Sequence, residues 1–256
     1  GSDGQPLTIR ELMEKGIEVL ERNYGDDPRF VIGMLINISG RYMNLGDTKG
    51  EYAALVKAEK LARQVGDPER ITYVQCNTVE TELAAGRLKE ARERMRDGLE
   101  NLAKIPGGNS DRETECGTAN ARLLWAEGRL PEAIDEGIRI ARIFEENHRT
   151  NDITYGTIVT MLDVMLSLEG RRNEARQWNA RDFEILEQSG DTSTLSIFNA
   201  RHHQAGHLNY GGESRAALEI ERRAVEAVAS QQGVDSLRPA FASRLGFLLV
   251  RVEETD

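Results

Sequence analysis

The sequence predicts an all-α protein: a right-handed α-solenoid of about five helix–turn–helix repeats with an extra helix at each end. Three observations predict this class: the composition, a motif that recurs about every 42 residues, and a helical apolar pattern after the motif. Ala, Leu, Glu and Arg dominate the 256 residues, and aromatic residues make up only 5% of them. These are helix-forming residues, and little of the chain has the β-branched and aromatic bias of strands.

The recurring motif starts with a glycine and carries an alanine five residues later. Its clearest copies are GRLKEA, from Gly86, and GRLPEA, from Gly128. Successive copies are separated by 40 residues and then three times by 42, starting from the glycines Gly46, Gly86, Gly128, Gly170 and Gly212. A step this regular indicates one repeated structural unit.

A helix is predicted on either side of each glycine. In the two clearest copies, the apolar residues after the glycine follow one face of a 3.6-residue helix. Within that face we expect small residues such as Ala133 and Ala175 to lie where helices cross closely. Breakers such as Gly66-Asp67-Pro68 separate one unit from the next. A single helix pair cannot bury its apolar faces, so stacked neighbours should form the core.

The predicted organisation follows from this register. Residues 1–2 look like the remnant of an expression tag, so we expect an excised piece of a longer protein. Residues 3–29 are predicted as an N-terminal cap helix. Residues 234–256 are predicted as a final helix, either a cap or half of a truncated repeat. The repeats between them are predicted at about 30–68, 69–108, 109–150, 151–191 and 192–233.

At about residues 30–230 the pattern resembles a tetratricopeptide repeat (TPR) array. The family pattern has a turn glycine, an alanine five residues on and a small residue seven further, as in Gly86, Ala91 and Gly98. Two features depart from it: Asp182 replaces the second small residue of the fourth repeat, and the units exceed the usual family length. The resemblance implies that the first helix of each repeat lines a concave groove, which binds a protein or peptide segment.

A second resemblance lies near the N-terminus. The segment LTIRELM from Leu7, then Asp27-Pro28, then GRYMNLGD from Gly40 resembles the opening of the repeat region in bacterial Ser/Thr protein kinases. No Gly-rich loop, HRD or DFG motif of a kinase domain is present. The resemblance implies the regulatory or sensory region of a larger signalling protein. Such a region is cytoplasmic by default and extracytoplasmic if it follows a membrane segment.

Charge and hydropathy exclude some partners. The chain carries 33 Lys and Arg against 43 Asp and Glu, a formal charge of −10, and it shows no basic stripe for phosphates. We therefore expect no nucleic acid partner, whereas an acidic surface can meet a basic partner. No stretch approaches the ~20 continuous apolar residues of a membrane span, so we expect no membrane insertion by this segment.

The cysteines and histidines are predicted to be neither catalytic nor metal-binding. Cys76 and Cys116 form no CxxC pair, and we expect two buried free thiols. His203 and His207 share a helix face next to His202, but no HExxH motif or cysteine set completes a zinc site. We expect these histidines to line a groove or to be exposed. No P-loop or nucleophile elbow is present, so we predict no enzyme and no cofactor.

Three functions remain open at this point. The favoured one is a scaffold that binds a protein or peptide segment. The alternative is a small-ligand or signal-peptide sensor of a transcriptional regulator, marked by an enclosed apolar pocket with a few convergent polar groups. An enzyme would require clustered residues with perturbed pKa values.

The TPR resemblance predicts groove-facing positions 13, 10, 6, 3 and 2 residues before each turn glycine. The candidate binding residues among them are Tyr73, Glu80, Arg122, Trp125, Thr160, His202, Asn209 and Tyr210. For the last two turns the complete set is Thr157, Thr160, Val164, Ser167, Leu168, Asn199, His202, Gly206, Asn209 and Tyr210. We expect Arg122 to donate to a partner's carboxylate or carbonyl, with Trp125 supplying apolar area. The other interpretation is that Tyr73 and Trp125 merely pack between adjacent helices.

Overall fold

The computed structural model describes residues 8–106, 108–189 and 194–229, and all regular secondary structure in these ranges is helical. The all-α class predicted from the sequence is therefore confirmed. The predicted final helix (234–256) and residues 1–7 lie outside the described residues. The helices are α1 (Ile9–Tyr24), α2 (Pro28–Asn44), α3 (Thr48–Val65), α4 (Pro68–Ala84), α5 (Leu88–Leu102), α6 (Ser110–Ala126), α7 (Leu130–Glu146), α8 (Ile153–Leu168), α9 (Arg172–Ser189), α10 (Thr194–Tyr210) and α11 (Ser214–Ala229).

The turn glycines join the helices in pairs: α2 to α3, α4 to α5, α6 to α7, α8 to α9 and α10 to α11. All five glycines have positive φ, between 68° at Gly46 and 86° at Gly212. At Gly128 the glycine N–H donates to the Trp125 carbonyl, and the next N–H, that of Arg129, donates to the Leu124 carbonyl, both at 2.9 Å. This pattern satisfies the last carbonyls of a helix and needs a left-handed residue, which explains why glycine recurs.

Aspartates start the helices that follow the breakers. Asp27, Asp47 and Asp67 each accept a hydrogen bond from the backbone N–H three residues on. Pro28 and Pro68 occupy the first helical position, where a missing N–H costs nothing. These local signals set where α2, α3 and α4 begin.

The chain folds into two compact units, divided between Glu136 and Gly137 within α7. In the first unit, α2 and α3 bury large apolar side chains such as Ile32, Leu35 and Leu55. In the second unit, α8 is buried nearly all round. Ala133, in the first unit, and Ala175, in the second, are completely buried. In the described ranges, none of the helices is long and apolar enough to cross a membrane.

The prediction of two free thiols is wrong. Cys76 on α4 and Cys116 on α6 form a disulfide bond, and both residues are buried. The two cysteines are 40 residues apart in sequence, yet their Cα atoms lie 5.0 Å apart because α4 and α6 pack side by side. A search for short-range cysteine motifs cannot find a bridge that only the packing of successive helix pairs creates.

Candidate functional site

In the first unit, Glu80 and Arg122 form an ion pair between α4 and α6. Each lies six residues before its turn glycine, and the Arg122 Nε is 3.2 Å from a carboxylate oxygen of Glu80. Both side chains are a little over one third exposed. The sequence predicts Arg122 as a donor to a partner, and the structure shows that it already has a carboxylate neighbour within the chain. A bound segment would have to share or replace that neighbour.

Tyr73 and Trp125 are both half-buried. The guanidinium of Arg112 lies over the Tyr73 ring, 4.4 Å from its centroid, and burial raises the pKa of the Tyr73 hydroxyl. Tyr73 packs against the apolar core of the first unit and also lines a cleft of about 300 Å³. It therefore combines the packing and groove-lining roles considered from the sequence.

In the second unit, most predicted groove positions lie around two clefts along α8 and α10. The threonine cleft, of about 430 Å³, is lined by Asn151, Asp152, Ile153, Gly156, Thr157, Thr160, Asp182, Ile185, Leu186 and Asn199. The histidine cleft, of about 260 Å³, is lined by Asp163, Val164, Ser167, Leu168, His202, His203, Gly206, His207 and Tyr210. Of the ten positions predicted for these helices, only Asn209 lines neither cleft. It accepts a hydrogen bond from the Ser214 hydroxyl at 3.1 Å.

Asp163 lies at the centre of the polar groups of the histidine cleft. Asp163 is only 2% exposed. One carboxylate oxygen lies 2.7 Å from His207 Nε2, and the other lies 3.0 Å from His203 Nδ1. Asn179 Nδ2 also donates to Asp163, at 3.3 Å. Burial opposes ionisation, but the two histidines outweigh it and hold the pKa of Asp163 below its ordinary value.

His202 has a carboxylate partner of its own. Its Nδ1 lies 2.8 Å from Glu221 Oε1, and Glu221 on α11 is completely buried. The His202 ring stacks on Phe198, with 5.6 Å between ring centroids. His202 and His207 are thus each hydrogen-bonded through one ring nitrogen to a buried carboxylate, and His203 Nδ1 lies within ion-pair distance of Asp163.

Asp182 on α9 belongs to the threonine cleft. It accepts a hydrogen bond from the Thr160 hydroxyl at 3.3 Å. Burial raises the pKa of Asp182 to about 6, and the nearby Asp163 carboxylate acts in the same direction. Asp182 of the threonine cleft is therefore close enough to Asp163 of the histidine cleft for the charge of one to affect the other.

The sequence interpretation missed most of this network. It places His207 in a groove or at the surface, and the structure shows it lining the cleft while almost completely buried on Asp163. The position within the 42-residue repeat could have revealed this network from the sequence. Counting 42 residues back from Asp163 leads to Ala121, and from His207 to Met165. A polar residue at a register position that is apolar in neighbouring repeats marks a buried polar group, which must find a partner.

The histidines do not form a recognisable metal centre. Within residues 8–106, 108–189 and 194–229, no three or more His, Cys, Asp and Glu side chains are arranged to hold a metal ion. Instead, one ring nitrogen of His203 and one of His207 face the carboxylate of Asp163.

No protein-family model matches the chain, and no curated protein matches its sequence. Solved structures share its fold. BtubC (BKLC) from P. vanneervenii aligns with a TM-score of 0.68 at 15% identity, covering 80% of this chain and 84% of that protein. A Rap protein complexed with competence and sporulation factor aligns with a TM-score of 0.65 at 14% identity, covering 96% and 70% of the two chains.

A thermophilic TPR protein of Thermus thermophilus aligns with a TM-score of 0.56 at 16% identity, covering 84% of this chain and 98% of that one. Identities this low show a shared fold alone. The fold is therefore that of the TPR-like α-solenoids, as the repeat spacing predicted.

Proposed function

We propose that this chain is a non-catalytic scaffold that binds a protein or peptide segment on its first helices. The candidate binding residues lie on α4 and α6 in the first unit and on α8 and α10 in the second. The observation that supports the proposal is the position of the two clefts in the second unit. They lie at the groove-facing positions that the repeat register predicts, where a stacked core helix would carry apolar side chains alone.

The rim of the histidine cleft has the mixed character of a binding surface. Leu168 and Tyr210 are 63% and 64% exposed, although both are large apolar side chains. Arg172 lies over the Tyr210 ring, 4.9 Å from its centroid, which steadies the ring at the rim. Exposed apolar side chains next to polar groups are typical of the residues that dominate binding energy.

The geometry supports a scaffold more than an enzyme. Within the described residues, no hydrogen bond joins Ser167 to a histidine of the same cleft, and that bond is what activates a serine nucleophile. The shifted pKa values of Asp163 and Asp182 are accounted for by burial and by mutual contacts.

The alternative is a sensor of a small ligand or signal peptide. The Rap protein of similar fold was solved with competence and sporulation factor, which favours a sensor role for such an array. Both clefts are open to solvent, however, which favours a segment laid over the surface.

We place this scaffold in a larger bacterial signalling protein, such as a Ser/Thr kinase, as its regulatory or sensory region. The support is the N-terminal resemblance, above all the GRYMNLGD segment from Gly40. A pull-down with the full-length parent protein tests the context and identifies the partner.

The binding function is tested by selecting peptides from a random dodecapeptide library against the chain. We expect enriched peptides whose affinity falls at least tenfold (about 1.4 kcal/mol) in the double variant Leu168→Ala/Tyr210→Ala, because the rim loses its apolar area. Arg122→Ala and Trp125→Ala test the first unit in the same assay. Affinity is measured by fluorescence anisotropy and folding by thermal melting.

The matched control is Leu99→Ala, which removes an exposed leucine from α5, a second helix. This variant should keep full affinity. If no peptide is enriched, or if the rim and first-unit variants all bind as well as the parent chain, the proposed function is wrong.

A further inference from the structure

The histidine cleft has an unusual lining for an acidic chain. Three imidazoles line it, and neither lysine nor arginine is among its lining residues. The cleft is only partly filled by side chains, since a volume of about 260 Å³ remains beside them. The other polar side chains of the lining are Asp163, Ser167 and Tyr210.

The carboxylates behind the histidines decide which ring nitrogen carries the proton. An ionised carboxylate can only accept hydrogen bonds, so the nitrogen that faces it must carry a hydrogen. That nitrogen is Nδ1 in His202 and Nε2 in His207. In each neutral imidazole the other nitrogen is then a hydrogen-bond acceptor. The cleft therefore offers acceptors as long as its histidines are neutral.

The buried charges add a negative field to these acceptors. Asp163 is ionised at neutral pH because its pKa is lowered, and Glu221 adds a second buried carboxylate behind His202. Two arginines on α9 have neutral partners beside the cleft and keep their positive charges: Arg176 donates to the His207 backbone carbonyl, and Arg172 lies on the Tyr210 ring. Charges with little solvent around them act strongly on a group placed nearby.

We infer that the histidine cleft receives a cationic side chain, an arginine or a lysine, from the bound segment. This inference rests on the proposed function, and it names the chemistry that the site selects. The imidazole nitrogens and the Ser167 hydroxyl accept the N–H groups of the cation. Leu168 and the Tyr210 ring cover its methylene stem and its charged end. The formal charge of −10 attracts such a segment at long range.

The inference predicts that binding of a cation to the cleft weakens as the pH falls. Protonation of an imidazole turns its accepting nitrogen into a donor and adds a positive charge, so it expels a cation. Protonation of Asp182 at about pH 6 removes a negative charge nearby and acts in the same direction. Within the part of the chain that the structure describes, the charged and titratable groups around the imidazoles are Asp163 on α8, Arg172, Arg176 and Asp182 on α9, Tyr210 on α10 and Glu221 on α11. An anion-binding cleft would show the opposite dependence.

The test uses a single amino-acid derivative and therefore does not depend on a groove-bound peptide. N-acetyl-arginine amide is titrated into the ¹⁵N-labelled chain, and the histidine side-chain signals are followed by NMR. N-acetyl-citrulline amide is the matched probe, since it has nearly the same shape and no charge. We expect arginine to shift all three histidine signals and to bind at least tenfold more tightly than citrulline at pH 7.5. At pH 5.5 the arginine affinity should fall at least fivefold.

Two variants test the source of the selectivity. Glu221→Gln and Asp163→Asn each replace one buried carboxyl group by an amide and should weaken arginine binding at least threefold. Glu100→Gln, at an exposed position on α5 in the first unit, should leave binding unchanged. Asp163→Asn alters a buried network and can prevent folding. In that case Glu221→Gln and the pH series are sufficient to test the inference.

Equal binding of the two probes, or an arginine affinity that is unchanged or higher at pH 5.5, overturns the inference. Full arginine affinity in a folded Glu221→Gln variant overturns the role of the buried charge. A different result would contradict the proposed function alone. In that result, peptide selection yields no peptide although arginine still binds the cleft. Selected peptides that bind without any arginine preference would leave the scaffold function standing and defeat the inference alone.

Discussion

At the scale of single residues, Asp182 shows how burial acts on a carboxyl group. It is 8% exposed, has the Thr160 hydroxyl as a hydrogen-bond donor, and has a pKa raised to about 6 from an ordinary 3.8. The folded chain therefore holds this proton more tightly than the unfolded chain does. Its contribution to stability is fully present below about pH 4 and is lost as the pH rises through about 6.

Replacing Asp182 by Asn should remove this pH dependence, because the amide oxygen can still accept from Thr160 and carries no charge. We expect Asp182→Asn to be more stable than the parent chain at pH 7.5, by on the order of 2 kcal/mol, and the difference to shrink toward pH 4. Urea unfolding of both proteins at the two pH values measures it. Glu184→Gln, an exposed position on the same helix, should show no comparable difference.

The disulfide Cys76–Cys116 is the second residue-scale feature with a measurable consequence. It closes a loop of 40 residues, which lowers the entropy of the unfolded chain. Removing it with the double variant Cys76→Ala/Cys116→Ala should cost about 4 kcal/mol of unfolding free energy.

The same loss should appear when the parent chain is unfolded in a reducing agent, and the double variant should not respond to that agent. Thiol titration of the denatured, unreduced chain should find no free cysteine. Two free thiols there, with stability indifferent to the reductant, would contradict the bond.

At the scale of helices, small buried residues set how closely neighbours can approach. Ala175 on α9 is completely buried, whereas Ala180 on the same helix is exposed. Gly137 shows the same constraint in the second unit, since a Cβ placed there would lie 2.9 Å from a Leu162 methyl carbon. The repeated alanine of the motif thus reflects a lack of room for a larger side chain.

Ala175→Leu should therefore overpack its helix contact and lower the unfolding free energy by about 1–3 kcal/mol. Ala133→Leu, at the equivalent position 42 residues earlier and equally buried, should behave alike. Ala180→Leu should stay close to the parent chain. Denaturant unfolding separates these outcomes, and equal stability of the Ala175 and Ala180 variants would show that the assumed register is wrong.

At the scale of the whole molecule, both units bury polar side chains, and Gln75 and Glu82 in the first unit are as deeply buried as any in the second. In the second unit, Asp163, Asn179, His207 and Glu221 form partnered polar groups within the packed helices. Replacing apolar core residues in this way costs desolvation free energy unless every group is paired. The histidine cleft and the threonine cleft lie beside this network. We therefore propose that the desolvation free energy of the network is the cost of a binding site.

The sequence by itself determined the helix–turn–helix plan. Each turn depends on a glycine with positive φ, and several helix starts depend on an aspartate cap and a proline, signals that act within about five residues. The TPR resemblance supplied the count from each turn glycine that leads to most cleft-lining positions of α8 and α10, and their role in binding stays a prediction. The tertiary structure alone decided the disulfide between residues 40 apart and the contact between Asp163 and His207, which are 44 apart. The physical reason is that such partners belong to successive helix pairs, and which side chains meet depends on how those pairs pack.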